Sequence, residues 1–122
     1  MERILVVARM RPSAEAEVAQ LFAESDQTEL PRLGGAVSRS LFSFHDLYFQ
    51  LMEVRENAQH TMSQIRRHPE FQRLSERLTE FIEPYDPQTW RSPRDAMARE
   101  FYRWEAEPGG SPVHLVDDRE GR

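Results

Sequence analysis

The chain contains no cysteine. That excludes disulfides, thiolate metal sites and thiol nucleophiles together. It contains no lysine either: all sixteen basic side chains are arginine. A lysine Schiff base with a carbonyl substrate is therefore closed to it. Long apolar runs are also missing. The start, MERILVVARMRP, holds one short run and no small-residue cleavage site, so the expectation is a cytoplasmic protein without a membrane span or secretory signal. Positive charge is not in excess: the net charge is −5 and the arginines are scattered. Nucleic-acid binding calls for a basic patch, and none is visible. No histidine or carboxylate spacing suggests a metal site.

What remains suits one folded domain. The chain has 122 residues, 39% hydrophobic and 30% charged, enough for a real core but small for a two-domain enzyme. Residues 35–54, GAVSRSLFSFHDLYFQLMEV, carry the most information. Val37 to Phe44 and Leu47 to Val54 are runs of β-branched, aromatic and aliphatic residues around His45-Asp46. They predict a β-hairpin with a tight turn. A two-residue loop pairs Ser43 with Tyr48, Leu41 with Gln50, and Arg39 with Met52, all on one side of the sheet. The other side carries Ser38, Ser40, Phe42, Phe44, Leu47, Phe49 and Leu51. One face is thus strongly apolar. The other mixes bulk with an arginine, an amide and hydroxyls, groups that are costly to bury without partners. A pocket with a polar ligand satisfies them; so do neighbouring side chains.

Along the rest of the chain, Arg3 to Met10 reads as a strand covered on both faces. Ser13 is a candidate N-cap for a helix from Ala14 to about Asp26. Its apolar stripe is Ala14, Val18, Leu21 and Phe22, continuing onto Ser25, with Asp26 at the margin. Thr28-Glu29-Leu30-Pro31 stops that helix, and Gly34-Gly35 turns into the hairpin. Glu56 to His68 looks helical, with Ala58, Met62 and Ile65 on one face. A further helix runs from Pro69 to about Ile82, with His68 before it as a cap. Glu83 to Pro93 holds three prolines and reads as an irregular crossing loop pinned by Tyr85 and Trp90. Ala96 to Trp104 alternates as a last strand. His60 and His114 look like surface residues. Residues 1–106 form the expected domain and 107–122 a loose tail, despite its short VHLV run.

The order β-α-β-β-α-(α)-β is the ferredoxin-like split βαβ arrangement, an α+β fold with a four-stranded antiparallel sheet. Helices cover one face of such a sheet. Phe42, Phe44, Phe49 and Leu51 then lie on the other. Burying side chains of this kind is worth about 1.5–3 kcal/mol each, so the expectation is a homodimer pairing two sheets across a two-fold axis.

ESDQTELP (24–31), SLFSFHDLYFQLME (40–53), HPEFQRL (68–74) and AREFYRW (98–104) resemble the small aromatic polyketide cyclases of the tetracenomycin F2 cyclase type. The likeness runs over roughly residues 3–105. It implies a dimeric α+β barrel of ferredoxin-like subunits, without metal or organic cofactor. It also implies closure of rings in aromatic polyketide intermediates, with other polyketide synthase components as further candidate partners.

Aldol-type ring closure requires loss of a proton from a methylene between carbonyls, stabilisation of the enolate, and folding of the chain so that the right carbon meets the right carbonyl. Pre-orientation contributes up to about 7–11 kcal/mol in favourable cases. On the resemblance, Arg39 is the candidate binder of the enolate or phenolate oxygen, since guanidinium stays charged and donates in a planar fork. Asp26 is the candidate base, or the group that orients one. Gln50 is placed to position a carbonyl or water, Tyr48 and Ser43 to donate further hydrogen bonds, and Met52 and Phe22 to supply apolar wall, with Ser25 beside them. Some members carry histidine where this chain has Ser25 and Gln50, which leaves the proton transfer to Asp26, Arg39 and substrate acidity. His45, at the hairpin tip, suits a turn better than catalysis. A buried Asp26–Arg39 salt bridge holding helix to sheet is the alternative role of that pair. Two other functions fit the same barrel: a cofactor-free monooxygenase for anthrone-type substrates, and a non-catalytic partner that holds the polyketide for other enzymes.

Overall fold

The computed structural model describes residues 1–55, 63–91 and 93–106. Strand β1 (Glu2–Met10) is followed by helix α1 (Glu15–Ser25) and a short helix α2 (Leu30–Leu33). The hairpin is β2 (Ala36–Phe44) and β3 (Leu47–Val54). Residues 63–65 are helical. Helix α3 (Pro69–Leu78) leads into strand β4 (Ile82–Pro84), and a 3-10 turn spans Pro93–Ala96. The sheet is antiparallel with order β2-β3-β1-β4, which is the ferredoxin-like arrangement expected from the element order.

The hairpin has the anticipated register: Ser43 lies opposite Tyr48, Leu41 opposite Gln50 and Arg39 opposite Met52. His45 takes a positive φ of 56°, which lets an L-residue close so tight a turn at some strain. The tip is tied down. The Met10 N–H donates to the Asp46 carbonyl at 2.8 Å, and Arg9 Nη1 donates to Asp46 Oδ2 at 2.7 Å. Nearer the base, the register slips by one residue between Ala36 and Ser38, so Val37 is the extra residue of a β-bulge.

Helix α1 buries the predicted stripe. Ala14, Val18, Leu21, Phe22 and Ser25 are all buried. Val18, Phe22 and Ala14 join Ala8, Met10 and Tyr48 in the core, with Leu74, Leu78, Phe81 and Ile82 packed against it. The even-numbered residues of β1 therefore face the helices. Helix α3 begins as expected: Pro69 sits in its first turn, and His68 Nδ1 accepts from the Glu70 N–H at 3.1 Å.

Several expectations are corrected. Ser13 is not the N-cap of α1. It takes a positive φ of 63° in the preceding turn, and Ala14 occupies the cap position with no side-chain hydrogen bond. Helix α3 stops at Leu78 rather than Ile82, because the Phe81 N–H turns back onto the Leu78 carbonyl at 2.9 Å. The fourth strand is not Ala96–Trp104. It is Ile82–Pro84, inside the segment read as helix end and crossing loop, and it pairs with Ala8–Met10 of β1. That occupies the end of β1's outer edge. In the later segment Met97 bridges Val6, the Ala98 N–H donates to the Leu5 carbonyl at 2.7 Å, and Arg103 forms a further isolated bridge. Around it Phe101, Tyr102 and Trp104 are exposed, so the alternation there buries no apolar face. Ala58, Met62, His60, His114 and the tail at 107–122 fall outside the described residues.

Candidate functional site

The sheet and the helices do not close on each other. Between them lies a cavity of about 430 Å³. Its floor is the inward side of the sheet: Ile4, Val6 and Ala8 from β1, Arg39 from β2, and Tyr48, Gln50 and Met52 from β3. Phe22 and Ser25 of α1, Leu30 and Pro31 of α2, and Ile65 form one wall. Phe71, Leu74 and Leu78 of α3 form another, and Ile82, Trp90 and Met97 border it further along. The lining is apolar with a small set of polar groups, the usual character of a small-molecule site.

Arg39, Gln50 and Tyr48 form one connected chain, while Ser25, Ser75, Thr79 and Glu83 border the cavity outside it. Arg39 donates to Asp26 twice, Nε to Oδ2 at 3.1 Å and Nη2 to Oδ1 at 2.7 Å. Its Nη1 donates to Gln50 Oε1 and, at 3.2 Å, to Met52 Sδ. Gln50 Nε2 then donates to the Tyr48 hydroxyl at 3.2 Å. Phe22 stacks on the other side of the guanidinium, with its ring centroid 5.0 Å from Arg39 Cζ, a cation–π contact. The guanidinium is thus held by Phe22 and Asp26 from α1 and its C-cap and by Gln50 and Met52 from β3. Four of its five N–H donors are engaged; the second on Nη2 has no partner among the described residues. Tyr48 is only 3% exposed. Burial pushes its phenol well above the usual range, against the lowering influence of Arg39 and of the Gln50 amide. It therefore stays a neutral donor at any physiological pH.

Of the candidate residues, the structure brings Arg39, Gln50, Tyr48, Met52, Phe22 and Ser25 to the cavity wall. Asp26 is not part of the lining and reaches it only through Arg39. Ser43 lies outside, near the hairpin tip, where its hydroxyl donates to Glu15 Oε2 at 3.1 Å. His45 also lies at the tip, edge-on to the Phe44 ring. The reading of the sequence missed the opposite wall. In the sequence Phe71, Leu74 and Leu78 are spaced three and four apart as a helical stripe, and that spacing is the same whether a stripe packs dry or borders a space. Among the described residues, no group of three His, Cys, Asp or Glu side chains is placed to hold a metal, and no helix is long and apolar enough to cross a membrane.

An antiparallel α+β sheet with helices on one face, and an apolar chamber carrying a half-buried arginine between them, has the form of a small-molecule site. Comparison narrows the class. The model of the polyketide synthesis cyclase family matches residues 2–105, and the chain belongs to that family. It is 46% identical over 105 residues to the polyketide synthase CurG of Streptomyces cyaneus, covering 86% of this chain and 98% of that one. It is 43% identical over 104 residues to the tetracenomycin F2 cyclase of Streptomyces glaucescens, covering 85% of this chain and 94% of the relative. The solved structure of that cyclase, described as a type-II polyketide cyclase, superposes with a TM-score of 0.81 at 42% identity, over 88% of this chain and all of the other.

Proposed function

We propose that this chain is a cofactor-independent cyclase that closes and aromatises a ring of a poly-β-ketone intermediate by an aldol-type condensation. The observation that carries the reading is the chamber itself: a space of about 430 Å³ with a guanidinium fixed in its floor, in a chain closely related to a named polyketide cyclase. The apolar walls hold the folded poly-ketone so that one carbon meets one carbonyl. The remaining N–H of Arg39 Nη2 donates to the enolate oxygen, where charge builds. Asp26 acts through Arg39, fixing the fork and balancing its charge. A methylene between two carbonyls is already acidic, so the site's main service is orientation and oxyanion stabilisation.

The same proposal includes a homodimer. Phe42 and Phe44, 53% and 62% exposed, project from the sheet face opposite the chamber. Phe101, Tyr102 and Trp104 add further uncovered aromatic surface. A second copy laid on the sheet face would bury Phe42 and Phe44.

The test is a reaction of the protein with a ring-open poly-β-ketone, followed by aromatic absorbance and by an oxygen electrode. The expected result is ring closure without oxygen uptake, slowed about 10²-fold in Arg39→Ala. Substrate-dependent oxygen consumption would move the chain to monooxygenase chemistry. An Arg39→Ala variant that folds and matches the wild type would remove the assignment.

A further inference from the structure

Tyr48 is the second residue of β3, directly across from Ala8 of β1. The small Ala8 side chain leaves room for the phenol ring on the inward face. The hydroxyl meets Gln50, two residues on along the same face. The direction of every hydrogen bond in this row is fixed by chemistry. Arg39 can only donate, so the Gln50 oxygen must face it. The Gln50 NH₂ must then face Tyr48, and it occupies a lone pair of the phenol oxygen. Tyr48 accordingly cannot give its own proton to Gln50. No acceptor of that proton is present among the described residues. The ring is buried and borders the chamber. A buried hydroxyl without an acceptor is costly, and the open volume is where an acceptor fits.

We infer that the Tyr48 hydroxyl is a substrate-contacting hydrogen-bond donor aimed at the electrophilic carbonyl oxygen of the poly-ketone, with Gln50 as the residue that orients it. The assignment rests on the cyclase reading above and adds the second half of the oxyanion chemistry. Arg39 holds the oxygen of the attacking enolate; Tyr48 holds the oxygen of the carbonyl under attack. In the bond-forming step the enolate carbon's electron pair makes the new C–C bond. The carbonyl π pair moves onto its oxygen, which becomes an alkoxide against the phenol O–H. The proton lost from the methylene equals the one the alkoxide takes up, so the addition consumes nothing. A phenol that remains protonated suits this role, since a phenolate in the same place would repel the forming alkoxide.

The test uses 1,8-dihydroxyanthraquinone as a fused-ring probe with one carbonyl free of internal hydrogen bonds, titrated into the full chain. In the wild type the infrared band of that carbonyl is expected to move to lower frequency on binding. Tyr48→Phe keeps the ring and its packing; it is expected to abolish the band shift and to weaken binding about tenfold, as loss of one buried hydrogen bond does. Gln50→Leu leaves the phenol but not its orientation, so it should reduce the shift. Gln50→Leu also frees Arg39 Nη1, so the double variant should bind more weakly than Tyr48→Phe but show no further loss of the band shift. If Tyr48→Phe binds with unchanged affinity and an unchanged band while Arg39→Ala weakens binding, Tyr48 has no such role and the cyclase reading stands. If the wild type takes up no probe, both readings fall.

Discussion

Arg39 and Asp26 meet through two parallel hydrogen bonds, 3.1 and 2.7 Å long, that join the middle of β2 to the C-terminal end of α1. The guanidinium therefore enters the chamber with its charge already balanced. A neutral poly-ketone meets a preorganised donor rather than an unpaired cation.

Replacing Asp26 by Asn keeps the shape of this contact and removes its charge. The fork then loses its anchor. Turnover of a ring-open poly-ketone is expected to fall about 10²-fold, with a larger effect on kcat than on KM, because an unheld fork serves the transition state poorly. Stability should drop by about 1–2 kcal/mol, measured by denaturant titration, since hydrogen bonds to charged groups are being lost at a partly exposed site.

The exposed aromatic face gives a test that does not touch the chamber. Phe42 stands opposite Phe49 on the outer side of the hairpin, and Phe44 lies two residues on. Changing Phe42 and Phe44 together to Glu should leave each subunit folded, because both are more than half exposed in the single chain. Sedimentation should show a dimer for the wild type at micromolar concentration and a monomer for the variant. A wild type that sediments as a monomer would remove the paired-sheet arrangement.

Glu100 gives a pH signature. Its carboxylate receives Arg103 Nε and Nη2 at 2.9 and 3.0 Å and Arg3 Nη2 at 2.8 Å. The Arg103 hydrogen bonds hold its pKa down at about 2, with burial opposing and Arg3 reinforcing. A carboxylate depressed on folding contributes stability that is full above its unfolded value of 4.5 and is lost as pH falls through about 2. Glu100→Gln should therefore flatten the denaturant midpoint against pH in that window, relative to wild type. Identical slopes would show that the cluster contributes nothing to folding.

His68 supplies the cap of α3 through Nδ1, and its Nε2 lies 3.1 Å from Glu29 Oε2. His68→Ala should cost about 1 kcal/mol in thermal or denaturant unfolding, and His68→Asn, which also caps well, should recover most of it.

The hairpin was legible because two independent signals agree there: a period of two in both strands and a two-residue turn between them. Together these place Arg39, Gln50, Tyr48 and Met52 side by side before any coordinates are known. The same alternation also put Ser43 with them, and it does share their face. It stands beyond the reach of the chamber, however, where Glu15 at the start of α1 takes its hydroxyl. Strand β4 was not legible. Three residues ending in proline carry no period, and their pairing is decided by where α3 delivers the chain. Ala96–Trp104 shows the opposite error, a clear alternation that meets β1 where Met97 bridges Val6 and the Ala98 N–H reaches the Leu5 carbonyl but forms no strand there. The chamber's far wall was hidden for another reason. An apolar stripe reports that a helix side is turned inward, not how closely the opposite layer approaches.

One inserted residue decides which way the base of β2 looks. Ala36 and Arg39 are an odd number apart, yet both border the chamber. In an unbroken strand, neighbours of unlike parity point to opposite sides. Val37 absorbs the difference. Deleting it would rotate the Gly34–Ala36 approach by half a turn while leaving the guanidinium in place, so the hollow would lose an end panel without losing its charge. Through that one inserted residue, Gly34 and Ala36 border the same hollow as the guanidinium.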